Sequence, residues 1–136
     1  MSTGGLLRSE GTLEVVAALR KAGWSKIHAM IGDISTTYRG TNGSIDVYRY
    51  YVKSPAFAQA VVDEVKQQGY QGINIDFEPS DCLKHPTVPC GNSDCEAMGA
   101  MLSKLKAGLG PNIEVSESGL LTQGVPGVPW DPFAPP

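Results

Sequence analysis

The sequence predicts an α/β fold in which about three parallel strands alternate with helices in one domain. The segments follow the order helix, strand, helix, strand, helix, strand, which is typical of a parallel sheet with crossover connections. Each strand candidate is apolar on one face only. The 136 residues are 41% apolar and 18% charged, which suits one packed domain with its core over residues 12–119 and a proline-rich tail over residues 120–136.

The first helix and strand cover the segments TLEVVAALRKAGW and KIHAMIGDIS. Thr12 is a suitable cap for the start of this helix, and Gly23 is a suitable stop. In the strand, Ile27, Ala29 and Ile31 share one face because successive side chains alternate.

A polar loop and the second helix come next. Residues 36–53 are rich in Gly, Thr, Asn and Tyr and are predicted to form the loop. SPAFAQAVVDEVKQQG is predicted as a helix, because Ser54 is a good cap, Pro55 suits the first turn and Gly69 suits the end.

The third helix and strand follow a second irregular stretch. SDCEAMGAMLSKLKAGLG is predicted as a helix, with Ser93 and Glu96 at the spacing of a capping box. NIEVSES is predicted as the third strand, with Glu114, Ser116 and Ser118 on its polar face. The residues at helical spacing that predict the buried side of the helix are Met98, Met101, Leu102, Leu105 and Leu109.

The central strand, in the segment YQGINIDFEPS, has one polar and one apolar face. A doubly wound sheet would bury its two carboxylates under a helix, at a large cost in free energy. A barrel avoids this cost, because its inner face near the carboxyl ends of the strands can be polar. The sequence therefore predicts part of a (β/α)8 TIM barrel. The polar residues are Asn74, Asp76 and Glu78, and the apolar ones are Ile73, Ile75 and Phe77.

The segment GINIDFE resembles the signature D-G-x-D-x-D-x-E of glycoside hydrolase family 18, the chitinase-like barrels. Gly72 matches the glycine, Asp76 the last aspartate and Glu78 the catalytic glutamate. Asn74 stands where the family usually has aspartate, and Gln71 replaces the first aspartate. The specific part of the resemblance is about seven residues long, within a wider likeness over residues 13–118.

The resemblance implies a function for the polar face of the central strand. Members of this family hydrolyse β-1,4-linked N-acetylglucosamine polymers by substrate-assisted catalysis, in which the acetamide of the substrate is the nucleophile. By resemblance, Glu78 is the acid that protonates the glycosidic oxygen, and Asp76 holds the acetamide. Asn74 completes the catalytic group, where it can form hydrogen bonds but cannot share a negative charge.

Three further residues are candidates for substrate binding. Tyr48 and Tyr50 follow the first strand, where the loops of a barrel form the rim of the active site and aromatic rings can stack on sugars. Ordinary loop packing is the alternative for both. Ser118 lies on the polar face of the third strand. The resemblance implies no cofactor and no metal, and its implied partner is a glycan that contains N-acetylglucosamine.

Other interpretations of the polar face stay open. Alternating polar residues on a strand often mark a face in water. Asp76 and Glu78 are also oxygen ligands for a divalent cation, if Glu114 or Asp33 lies in the right register. For the whole chain, the alternatives to a hydrolase are a carbohydrate-binding, lectin-like relative without turnover and an α/β interaction domain.

Three cysteines, Cys82, Cys90 and Cys95, cluster after the central strand. A disulfide between two of them is the first interpretation, because the family is extracellular. Free thiols are the second interpretation. A metal site that includes His85 is the third, although the spacing fits no zinc module that we can name.

Charge and hydropathy exclude some classes of partner. The formal net charge of −3 gives no indication of nucleic-acid binding, and no apolar run approaches the ~18 residues of a membrane span. The first residues, MSTGGLLRSEG, lack the pattern of a signal peptide, so localisation stays open. We expect an extracellular protein if a longer parent chain carries such a signal.

The number of strands indicates a fragment. A complete barrel has eight strands and about 250 residues, whereas this sequence contains three convincing strands. By resemblance they correspond to the third, fourth and fifth strands of the family barrel. We therefore expect the isolated chain to be incomplete and inactive.

Overall fold

The chain folds as helices that alternate with strands of one parallel sheet. In a computed structural model, the described residues are 8–32, 45–77 and 91–118. Among these residues no helix is long and apolar enough to cross a membrane. The elements, in chain order, are α1 (Thr12–Lys21), β1 (His28–Gly32), α2 (Ile45–Lys53), α3 (Pro55–Gln68), β2 (Gly72–Asp76), α4 (Asn92–Leu109) and β3 (Glu114–Ser118).

The three strands pair in the order β1-β2-β3, and both pairs are parallel. Ile75 of β2 lies opposite Ile31 of β1 and Glu117 of β3. At the carboxyl edge of the sheet, Asp76 lies between Gly32 and Ser118. The predicted alternation of helices with parallel strands is confirmed, and the acidic strand is the central one.

One face of the sheet packs on the helices. Ile73 and Ile75 are almost fully buried, and Ala29, Ile31 and Val115 pack beside them. Because burial of each large apolar side chain contributes about 1.5–3 kcal/mol, this contact holds the sheet and helices together. The helix residues in the same core include Tyr48, Val52, Phe57, Val61, Val65, Met98, Met101 and Leu105.

The other face of the sheet is open to solvent within the described ranges. Met30 of β1 is 67% exposed, and His28, Glu114 and Ser116 are also exposed. A parallel sheet is normally covered on both faces, so the open face is unusual for a sheet of this kind, as far as residues 8–32, 45–77 and 91–118 go.

The predicted loop over residues 36–53 is wrong for its second half, where the structure has the helix α2. The helical pattern of IDVYRYYVK is difficult to recognise in the sequence, because tyrosines occupy both its buried and its exposed positions. Tyr48 and Val52, four residues apart, are buried against the core, whereas Tyr50 is 69% exposed. Burial of one side of the segment therefore overrides its polar composition.

Two predicted helix starts are also wrong in detail. Helix α1 has Gly11 at its N-cap, and the Thr12 hydroxyl donates to the Ser9 carbonyl at 2.7 Å instead of capping the helix. Helix α4 has Gly91 at its N-cap, and the Asp94 carboxylate accepts from the Gly91 N–H at 3.0 Å. The capping contact therefore starts two residues before the predicted pair of Ser93 and Glu96.

Other helix ends match the prediction. The Ser54 hydroxyl accepts from the Phe57 N–H at 3.2 Å at the start of α3. After α1, Gly23 has a φ of 90°, and the N–H groups of Gly23 and Trp24 donate back into the last turn. These are the bonds of a Schellman motif, which favours glycine at the left-handed position.

Gln71 joins the starts of the three strands. Its N–H donates to the Ile27 carbonyl at 2.9 Å, and its side-chain oxygen accepts from the Ile27 N–H at 3.0 Å. Its carbonyl accepts from the Glu114 N–H at 3.0 Å. Gln71, the clearest departure from the signature motif, thus forms hydrogen bonds that join the amino ends of the three strands.

Gly72 lies under the ring of His28 on the open face. A Cβ added at Gly72 would lie 2.7 Å from that ring, which is directed across β2 to within 3.5 Å of Glu114. We expect Gly72→Ala to displace the ring and to cost about 1–3 kcal/mol of unfolding free energy, measured by urea denaturation.

A background without the ring provides the control for this prediction. In His28→Ala, the added methyl group of Gly72→Ala meets no ring, so the substitution should be close to neutral. An equal cost in both backgrounds would show that the ring does not explain the glycine. Gly99→Ala, in an open position of α4, should instead stabilise by about 0.5–1 kcal/mol.

Candidate functional site

Polar side chains of β2 and β3 lie together on the open face of the sheet. Asn74 lies opposite Met30 and Ser116, and Asp76 lies opposite Gly32 and Ser118. The Asn74 amide donates to the Ser116 hydroxyl at 3.0 Å. Asn74 and Asp76 are partly buried, so they form the floor of a shallow polar surface at the carboxyl half of the sheet.

This surface offers both kinds of hydrogen-bonding group. The Asp76 carboxylate accepts, the Asn74 amide donates and accepts, and the Ser116 hydroxyl does both. An acetamide group presents one N–H donor and one carbonyl acceptor, so it can be matched by such a set. Met30 adds an exposed apolar side chain beside Asn74.

Several predicted site residues lie outside the described residues. The predicted acid, Glu78, is the first of them, although the described chain continues to Phe77. The side chain of Ser118 is also outside, while its backbone is part of β3. The others are Asp33, Cys82, His85 and Cys90.

The structure contradicts the predicted sugar-stacking role of Tyr48, whereas the role of Tyr50 remains a prediction. Tyr48 is 1% exposed, so its ring has no face available for a sugar. Its hydroxyl donates to the Asp94 carbonyl at 3.1 Å. Tyr50 is exposed on α2 and contacts the edge of the Tyr51 ring, with 5.3 Å between ring centres.

Aromatic rings pack under the carboxyl end of β2. Phe77 follows Asp76 directly and is 3% exposed. Its ring centre lies 5.9 Å from that of Phe57 and 6.3 Å from those of Tyr48 and Tyr51. These distances are typical of favourable aromatic pairs, so the strand is anchored on its covered side at the point where it carries Asp76.

A buried ion pair joins α2 to the start of α4 beside this aromatic cluster. Arg49 Nε donates to Asp94 Oδ1 at 2.7 Å, and Arg49 Nη2 donates to Oδ2 at 2.8 Å. Asp94 is 3% exposed. Bidentate geometry makes this one of the stronger types of polar contact.

These contacts move the pKa values of two buried groups. The hydrogen bonds from Arg49 lower the pKa of Asp94 below its ordinary 3.8, against the opposing effect of burial, with a further contribution from the Gly91 N–H. Burial raises the pKa of Tyr48 well above its ordinary 10.0. Tyr48 therefore stays protonated as a donor, and Asp94 stays ionised as an acceptor.

The lowered pKa of Asp94 predicts a loss of stability in acid. Because the folded chain has the lower pKa, ionised Asp94 contributes its full stabilisation above pH 3.8, and the contribution is lost as the pH falls through the folded value. The urea concentration at the unfolding midpoint should therefore decrease as the pH is lowered from 3.8 through the folded pKa of Asp94. In Asp94→Asn this part of the pH dependence should vanish, and an unchanged profile would contradict the assignment.

Metal and disulfide chemistry gain no support from the described part of the chain. It contains no group of three or more His, Cys, Asp or Glu residues that could hold a metal ion. Cys95 is an exposed free thiol in the first turn of α4. The predicted disulfide between two of the three cysteines remains a prediction, because the other two lie outside the described residues.

Comparisons of this chain with protein-family models, curated proteins and solved structures found no match.

Sequence reasoning missed the contacts that support the site from the covered side. Arg49 and Asp94 are 45 residues apart in sequence, and Arg49 lies in the segment predicted as a loop. The one available signal was Asp94 itself, three residues after Gly91 at the start of a predicted helix, which is the spacing of a capping contact.

Proposed function

We propose that this chain carries the acid-bearing strand of a chitinase-type glycoside hydrolase of family 18. The reaction is hydrolysis of β-1,4-linked N-acetylglucosamine polymers by substrate-assisted catalysis. The observation that supports it is the place of Asp76, at the carboxyl end of the central parallel strand and on the open face. Active sites of (β/α)8 barrels lie at that edge.

The open face supports a barrel as the parent architecture. Helices cover one side of the three strands, while the other side presents Asn74, Asp76 and Ser116. In a closed barrel this second side would face inward and would be enclosed by further strands. We therefore propose that the three strands are neighbouring strands of a (β/α)8 barrel.

Each polar residue has a role in the proposed reaction. Glu78, two residues beyond Asp76 and on the same face if the strand conformation continues, donates the proton to the glycosidic oxygen. Their spacing along an extended chain is about 6.6–7 Å. Asp76 accepts from the acetamide N–H and orients its carbonyl oxygen for attack on the anomeric carbon. Asn74, hydrogen-bonded to Ser116, completes the floor.

The proposal is tested by sugar specificity. The ¹⁵N-labelled chain is titrated with chitotriose and with cellotriose, which lacks the acetamide groups. We expect chitotriose alone to shift the amide signals of Asn74, Asp76 and Ser116. Asp76→Ala should weaken that binding about tenfold, the equivalent of losing one charge-assisted hydrogen bond of about 1.4 kcal/mol.

A matched variant separates loss of the carboxylate from loss of fold. Asp63→Ala removes an exposed carboxylate of α3, whose partner Gln59 lies one turn away, and should leave the titration unchanged. Equal changes of the amide signals with the two sugars, or changes confined to residues of the helices, would rule out the proposed site.

A further inference from the structure

We infer that Tyr48, Arg49 and Asp94 are positioning residues, which hold the carboxyl end of β2 so that Asp76 is directed to the open face. The inference concerns the covered side of the sheet, whereas the proposed sugar contacts are on the open side. Its value for catalysis rests on the proposed function, but the positioning itself is measurable without a sugar.

The ring of Phe77 packs against the ring of Tyr48. Their ring centres are 6.3 Å apart, and the ring planes meet at 80°, which is an edge-to-face contact. Phe57 and Tyr51 complete the packing around Phe77. The Phe77 ring is therefore confined to the core.

Tyr48 in turn contacts the start of α4. Its hydroxyl donates to the Asp94 carbonyl, and its neighbour Arg49 holds the Asp94 carboxylate through two hydrogen bonds. Asp94 also accepts from the Gly91 N–H, which closes the first turn of the helix. The side chains of Arg49 and Asp94 are 16% and 4% exposed, so water competes little for these bonds.

This network connects to Asp76. Neighbouring residues of a strand point to opposite faces, so a Phe77 ring fixed in the core directs Asp76 to the open face. Sites that bind or react require their groups to be held within about 0.5 Å of the productive geometry. Loosening of Tyr48 would release Phe77, and with it the end of the strand.

The test compares amide hydrogen exchange at the end and the start of β2. In Arg49→Gln and in Tyr48→Phe, exchange of the Ile75 and Asp76 amides should accelerate at least about fivefold relative to that of Ile73. A change in global stability accelerates exchange at both ends of β2 by the same factor, so it does not alter the ratio of the two rates. Tyr48→Phe keeps the ring and deletes one hydroxyl, so it decides the question if Arg49→Gln does not fold.

The matched control is Arg8→Gln. Arg8 forms a comparable bidentate pair with Glu64 of α3, at 2.8 and 2.7 Å. Glu64 lies in the half of α3 that leads to the amino end of β2, away from Asp76. This variant should leave the exchange ratio unchanged. The inference is overturned if Tyr48→Phe leaves the ratio unchanged, or if Arg8→Gln changes it as much as Arg49→Gln does.

Chitotriose binding distinguishes this inference from the proposed function. If the wild-type chain does not bind the sugar but the exchange ratios change as expected, the positioning role stands and the proposed function fails. If the wild-type chain binds and Tyr48→Phe weakens neither binding nor the local exchange protection, the proposed function stands and the positioning role fails.

Discussion

Asp94→Ala is expected to lower the unfolding free energy by about 3–5 kcal/mol, because it breaks the bidentate pair that Asp94 forms with the partly buried Arg49 guanidinium. It also removes the acceptor of the Gly91 N–H. Small domains are stable by only about 5–15 kcal/mol. The variant should therefore unfold at a much lower urea concentration, with a large unfolded fraction near room temperature.

Glu64→Ala is the matched control for this prediction. It breaks a bidentate ion pair of the same type with Arg8, but the Arg8 side chain is 41% exposed. Water therefore replaces much of the lost interaction, and the expected loss of stability is much smaller than that of Asp94→Ala. Similar urea midpoints for Asp94→Ala and Glu64→Ala would contradict the importance given to the buried pair.

The 136-residue chain by itself is expected to show no measurable hydrolysis of labelled chitotriose. Three strands place Asp76 on one wall of a site, and the described residues provide no opposite wall. Substrate-assisted attack needs the acetamide held against the anomeric carbon, and such positioning can contribute about 7–11 kcal/mol to lowering the barrier. An open face also admits water, which weakens the electrostatic effects that an acid needs.

Activity is measured on chain shown by circular dichroism to be folded, from acid to mildly alkaline pH. The Glu78→Gln variant is the control, because it removes the proton donor and keeps the shape. A folded monomer with turnover that Glu78→Gln abolishes would contradict the prediction and would show that this chain suffices for the reaction. Chitotriose binding without turnover in any longer protein that contains this segment would favour the lectin-like alternative.

Much of the fold follows from local sequence patterns. The strands were predictable because apolar and polar residues alternate in them, as in Ile73 to Phe77. The helix α3 was predictable because Ser54 and Gly69 mark its ends. The alternation of side chains along a strand is enough to place Asn74 and Asp76 on the same face. The position of these two residues was therefore also predictable.

The remaining features depend on contacts between distant segments. Helix α2 forms because Tyr48 and Val52 are buried by other elements; their four-residue spacing fits a helix, but the polar composition of the segment favours a loop. The pairing of Asn74 with Ser116 depends on the register of β2 and β3, which the spacing within either strand does not fix. The Arg49–Asp94 pair depends on both α2 and α4, so it was not predictable.

Nuclear Overhauser effects from the sugar test whether the acetamide of N-acetylglucosamine binds at Asp76. Chitotriose labelled with ¹³C in its acetyl methyl groups is mixed with the Glu78→Gln chain. We expect contacts from these methyl groups to protons of Gly32, Asn74 and Asp76. Contacts instead with the outer surface of α4, at Ser103 or Lys106, or no contacts at all, would contradict it.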